Sequence, residues 1–132
     1  MSEYAAPIPV MVMVSGAGTN LGALIEAERA GRLGPGRISL VVSDNASAGA
    51  LARAGAAGIA TAVEAPGRGL PRTERREELS GRVLARAREG GIGFIILAGY
   101  LSVLTGEILR VYAGRIINLH PSLLPKFGGE GM

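Results

Sequence analysis

A chain of 132 residues, 48% hydrophobic and 19% charged, is long enough for one domain with a real core and too apolar to be disordered. It has no cysteine and a single histidine, His120, which excludes a disulfide scaffold and a cysteine-ligated metal and argues against a zinc centre. The net charge of +3 is small and suits a protein that handles phosphorylated or polycarboxylate ligands.

Apolar runs alternate with helix-like segments along the whole chain. Val10–Val14 is short and wholly apolar, as expected of a strand buried on both faces. Ser15–Asn20 is a glycine loop, and Leu21–Ala30 carries Leu21, Leu24 and Ile25 at helical spacing before stopping at Gly31. Ile38–Val42 predicts a second strand, Ala50–Ala57 a short helix and Ile59–Val63 a third strand. Pro66–Pro71, with two glycines and two prolines, predicts a mobile loop. A long amphipathic helix follows over Glu74–Arg88, with Leu79, Val83, Leu84 and Ala87 on its inner face. Six of the thirteen arginines lie between Arg72 and Arg88, interleaved with glutamates, a pattern expected of a solvated helix face rather than a nucleic-acid patch. Phe94–Ala98 predicts the fourth strand, Thr105–Tyr112 a helix and Ile116–Leu119 a fifth strand that ends at His120-Pro121. The alternation predicts one α/β domain, a Rossmann-like, mostly parallel sheet with helices on both faces.

The first residues lack the charged leader of a secretory signal. The uncharged stretch Gly90–Gly106 holds five glycines and falls short of a bilayer span of ~18–20 apolar residues. The expectation is a soluble cytoplasmic protein.

In parallel sheets ligands collect at the carboxyl ends of strands. That rule brings Ser15–Asn20, Asp44, Gly99–Leu104 and Asn118–His120 into one potential site. In Ser15-Gly16-Ala17-Gly18-Thr19-Asn20-Leu21 the glycines free backbone N–H groups to face an anion, and the helix start adds unpaired donors. Thr19 and Asn20 can cap the helix or donate to a phosphate themselves. A plain strand-to-helix turn would use the same residues. So would a dinucleotide site with Asp44 on the ribose, although Gly16, Gly18 and Gly22 place the third glycine one position late for that fingerprint. In Asn118-Leu119-His120, period-two geometry points Asn118 and His120 to one side. An amide that stabilises an oxyanion beside an imidazole that moves protons suits acyl transfer. Leu97–Leu104 could form a flat slot for an aromatic ring, or merely pack as a strand entering a turn.

These motifs together resemble the glycinamide ribonucleotide formyltransferases. SGAGTNL resembles that family's SGNGSNL, LAGYLSVLT its LAGFMRILS, and YAGRIINLHPSLLPKF its YAGRLLNIHPSLLPKY, while VVSDNASAGALARAGAAGIAT follows its second strand, helix and third strand. The likeness runs from Val10 to Phe127, with motifs in the same order. It implies that Gly18, Thr19 and Asn20 hold a substrate phosphate, and that Asn118 and His120 are two of three catalytic groups. It also implies that Leu101, Val103 and Leu104 line a pteridine slot, partly through backbone groups, with Arg76 near the folate tail. The implied reaction takes a formyl group from 10-formyltetrahydrofolate to 5-phosphoribosylglycinamide in purine synthesis. No metal, nucleic acid or membrane takes part, and the implied assembly is a monomer or homodimer. Ser102 stands where many relatives have arginine. The family's catalytic aspartate has no counterpart before Met132, so residues 1–132 are expected to be the N-terminal portion of one catalytic domain, inactive or nearly so alone. Formyltetrahydrofolate deformylase and methionyl-tRNA formyltransferase share the chemistry and remain rivals, as do a dinucleotide-binding oxidoreductase and a non-catalytic binding module.

Overall fold

The computed structural model describes residues 6–119. Five strands alternate with four helices: β1 (Ile8–Val14), α1 (Thr19–Arg29), β2 (Gly36–Ser43), α2 (Gly49–Ala56), β3 (Ala60–Val63), α3 (Arg72–Glu89), β4 (Phe94–Ala98), α4 (Glu107–Val111) and β5 (Ile116–Leu119). The strands form one sheet in the order β3-β2-β1-β4-β5, and every neighbouring pair is parallel. The expected α/β class and helix-covered parallel sheet are what the chain adopts.

The apolar run of β1 is explained by its central place between two packed layers. Val10, Val12 and Val14 join Leu21 and Ile25 of α1 and Ala50 and Ala54 of α2 in one core. Met11 and Met13, pointing the other way, join Leu79, Val83, Leu84 and Ala87 of α3 and Ile108 of α4 in another. Burying each such side chain contributes about 1.5–3 kcal/mol, so the central strands and the two inner helix faces hold the sheet together.

The strands are not all buried on both faces as their sequences suggest. Among the described residues β3 and β5 are the edges of the sheet, and Val63 and Ile117 remain exposed. Their apolar composition matches the central strands, but helices cover mainly the middle of the sheet. β2 contains a register shift opposite Val10 and Met11 that leaves Ser39 unpaired in the ladder to β1.

The chain winds outward from β1 to β3, then returns to place β4 on the other side of β1. The loops after β1 and β4 therefore leave neighbouring strands in opposite senses and open a crevice between them, the usual ligand position in such sheets. Among the described residues no helix is long and apolar enough to cross a membrane.

Candidate functional site

The glycine loop after β1 is shaped by close packing against α2. Gly18 has φ 88°, and a Cβ there would lie 2.7 Å from both Cα and Cβ of Ala50. Only glycine meets both the left-handed backbone and the missing space. Ala50 N–H donates to the Gly16 carbonyl at 3.0 Å, and Arg53 Nε donates to the Ala17 carbonyl at 2.9 Å, so the carbonyls of the loop are turned toward α2.

Helix α1 starts at Thr19, earlier than expected, with Gly18 as its cap and no side-chain cap bond. Thr19 and Asn20 are thus first-turn residues rather than caps. The first intrahelical bond runs from Gly22 N–H to the Gly18 carbonyl at 2.8 Å. Among the described residues, the N–H groups of Gly18, Thr19, Asn20 and Leu21 have no acceptor. A helix start with free donors and a positive dipole end is an anion cradle.

The loop after β4 stands beside it. Gly99 takes φ 74°, and the Asn20 amide nitrogen lies 3.9 Å from where a Gly99 Cβ would be, so the two loops approach closely. Leu101 N–H donates to the Ser15 hydroxyl at 2.8 Å. Ser102 Oγ donates to Asp44 Oδ2 at 2.5 Å, and Thr105 N–H donates to Ser80 Oγ of α3 at 2.8 Å. Asp44, the residue a dinucleotide site would turn to a ribose, is instead engaged with the β4 loop.

Between these ties the loop presents apolar side chains outward. Leu101 is 83% exposed and Val103 42% exposed, whereas Leu104 turns into the core. Leu101 and Val103, with Leu79, Arg72, Arg75 and Arg76, line a groove of about 150 Å³. Among the described residues these three arginines form no ion pair, unlike Arg82 and Arg86 farther along α3. Arg75 donates only to the Leu70 carbonyl at 3.4 Å, and an apolar rim with guanidinium groups not engaged in ion pairs suits a flat ring carrying a carboxylate tail. Sequence reasoning singled out Arg76 alone. Arg72 lies four residues before it and Arg75 one before it, and the sequence pattern alone marks both as part of a solvated face.

Glu64, at the end of β3, pins the strand to α3. It pairs with Arg82 at 2.6 Å and with Arg86 at 2.6 Å, and Arg82 also donates to the Ala65 carbonyl at 2.7 Å. Burial opposes ionisation of Glu64, but the hydrogen bonds from Arg86 and Arg82 outweigh it and hold the carboxyl below its ordinary value. Tyr100 is pushed up to about 12, first by burial and then by the charge of Asp44.

Asn118 lies in β5 opposite Leu97 of β4, exposed at the same end of the sheet as both loops. Its catalytic companion from the sequence, His120, lies outside the described residues. Among the described residues no three His, Cys, Asp or Glu side chains gather as a metal ion would require.

The family model described as formyl transferase matches residues 8–131. The chain is 37% identical over 120 residues to phosphoribosylglycinamide formyltransferase of Haemophilus influenzae, covering 91% of this chain and 54% of that protein. It is 42% identical over 121 residues to the trifunctional purine biosynthetic protein adenosine-3 of Drosophila pseudoobscura, covering 91% of this chain and 9% of that protein. Glycinamide ribonucleotide transformylase 1 of Symbiobacterium toebii superposes with a TM-score of 0.78 at 38% identity, covering 93% of this chain and 56% of that one. The chain thus spans about half the length of the bacterial relatives it matches.

Proposed function

The chain belongs to the formyl transferase family, and from that premise we propose that the intact protein transfers a formyl group from 10-formyltetrahydrofolate to the amine of 5-phosphoribosylglycinamide. The observation that carries this proposal is the adjacency of two unlike features, joined where Leu101 N–H meets Ser15 Oγ. The free N–H groups at Gly18–Leu21 offer an anion cradle on the β1 loop, and the groove under Leu101 and Val103 offers apolar side chains and arginines on the β4 loop. A phosphorylated amine and a flat ring with an anionic tail are the two ligands such features suit.

In the proposed reaction the amine nitrogen attacks the formyl carbon, and a C–N bond forms. The tetrahedral intermediate then collapses with cleavage of the bond to N10 of the folate. The amine loses one proton and N10 gains one, so no external acid or base is consumed. Asn118 donates its amide N–H to the developing oxyanion. His120, with the carboxylate that the family resemblance implies, relays the proton. Gly18, Thr19 and Asn20 hold the phosphate, and Arg76 takes the folate tail with Arg72 and Arg75. Leu101, Val103 and the backbone at Leu104 bracket the pteridine. No metal enters the scheme. We further assign residues 1–132 to the N-terminal portion of a single catalytic domain in a cytoplasmic protein, monomeric or homodimeric.

The test is to supply the intact protein with 10-formyltetrahydrofolate and offer 5-phosphoribosylglycinamide, water alone or methionyl-tRNA. Saturable formation of the formylated ribonucleotide is expected. Formate release that ignores the ribonucleotide would mark a hydrolase, and formylation of the tRNA would mark a different acceptor.

A further inference from the structure

Asp44 and Ser102 take no part in the chemistry just proposed, yet they join two strand ends of the candidate site. Ser102 Oγ donates to Asp44 Oδ2, 58 residues away in sequence, at 2.5 Å. The preceding residue, Leu101, gives its N–H to Ser15 Oγ at 2.8 Å. Two consecutive loop residues are therefore tied to the ends of β2 and β1 respectively.

Asp44 is itself firmly placed. Its N–H donates to the Val14 carbonyl at 3.3 Å, and Ser43 and Asn45 close a tight turn around it, with Asn45 N–H donating to Ser43 Oγ at 2.9 Å. The loop is thus fixed from a rigid base while its apolar side chains, Leu101 and Val103, face outward into the groove. The Asp44 Oδ1 atom is buried and, among the described residues, lacks a hydrogen-bond partner. Loss of the Ser102 hydroxyl would therefore leave a carboxylate without its direct donor in a poorly hydrated place. The family motif that the loop resembles has arginine where this chain has Ser102, so the bond to Asp44 uses a residue in which this chain departs from that motif.

We infer that Asp44 and Ser102 are positioning residues that hold the β4–α4 loop in the shape that brackets the pteridine of the formyl donor, and so set affinity for that substrate alone. The inference rests on the function proposed above. A loop that samples other shapes binds more weakly in proportion to the time it spends in the competent one. Breaking a hydrogen bond to a charged acceptor, with the Ser15 and Ser80 ties left in place, is expected to weaken binding about 5- to 50-fold.

The experiment uses Asp44→Ala, Asp44→Asn, Ser102→Ala and the double alanine variant of the intact protein. Tetrahydrofolate affinity is measured by calorimetry, and KM for both substrates by initial rates. Ser102→Ala and Asp44→Ala should raise the tetrahydrofolate Kd and the formyl-donor KM by that factor, while the ribonucleotide KM stays within about 2-fold. The double variant should be no worse than either single one, because both remove the same bond. Asp44→Asn, which still accepts from the hydroxyl, should recover most of the affinity. An unchanged tetrahydrofolate Kd in Ser102→Ala, which removes one hydroxyl and is not expected to affect folding, would overturn the inference. So would equal weakening for both substrates, the mark of a general structural role. A wild-type protein that binds tetrahydrofolate without transferring the formyl group would refute the proposed reaction and leave the positioning role to be decided by the Kd values. One that binds no tetrahydrofolate would overturn both.

Discussion

Replacing Gly18 by alanine puts one methyl group into the tightest contact of the glycine loop. The added Cβ would lie 2.7 Å from Ala50 Cα and 2.7 Å from Ala50 Cβ, closer than carbon atoms pack, and the nearer neighbours belong to a helix backbone that cannot swing aside. The backbone at φ 88° adds a left-handed strain of about 1–2 kcal/mol for any residue with a Cβ. Overpacking of this kind adds about 1–3 kcal/mol. The two together predict a loss of about 2–5 kcal/mol and, at about 2–4 °C per kcal/mol for a domain of this size or somewhat larger, a melting temperature lower by roughly 5–20 °C. Circular dichroism during heating reads it directly. Gly16→Ala is the control, since nothing lies within 4 Å of its added Cβ and no positive φ is needed, and it should melt within about 2 °C of wild type. Ala50→Gly in the Gly18→Ala background should restore only part of the loss, because the contact with the Ala50 Cα remains. A Gly18→Ala protein that melts with the wild type would show that the close approach to α2 does not shape the anion cradle.

Glu64→Gln should lower stability by about 1–2 kcal/mol at neutral pH, because both arginine pairs lose their charge and are only partly buried. Since the folded Glu64 carboxyl titrates below its ordinary value of 4.5, its contribution is complete above that value and disappears as pH falls through the folded one. The gap in urea midpoint between wild type and variant should therefore narrow between about pH 5 and pH 3, and a gap that widened in acid would contradict the assignment. Tyr112→Phe removes the buried hydroxyl that donates to the Ile92 carbonyl at 2.7 Å. A loss of about 1–2 kcal/mol is expected from the stranded acceptor, and an unaltered melting temperature would show that water replaces the donor.

The order of strands and helices was legible because the central strands are covered on both faces and so must be continuously apolar. The same logic misled at the edges, since among the described residues Val63 of β3 and Ile117 of β5 are strand-like apolar residues left exposed. Helix starts moved for local reasons. Thr19 opens α1 because Gly18 in a left-handed conformation already turns the chain. Thr105, read as helical, lies before α4 because Gly106 reverses the backbone and Thr105 N–H is held by Ser80. The glycine loop and Asn118 could be placed at strand ends from spacing alone. The braces could not, for Ser15 meets Leu101 across 86 residues and Asp44 meets Ser102 across 58, and no short-range pattern announces either pair. Asp44 drew notice as a ribose ligand only because it ends a strand, a position that says nothing about where the carboxylate turns. In sequence, Arg72 and Arg75 with their glutamate neighbours carry the pattern of a wet face. Only the fold shows that the first turn of α3 overhangs the β4 loop while the later turns meet Glu64.

The proposed chemistry depends most directly on Asn118, the one implied catalytic side chain within the described residues. Formyl transfer by Asn118→Ala should be measured together with its affinity for 5-phosphoribosylglycinamide. Loss of a single oxyanion donor predicts a fall in kcat of about 10²–10³, with the ribonucleotide Kd within about 3-fold of wild type because the proposed phosphate cradle lies at the end of a different strand. Turnover near that of the wild type would contradict the account.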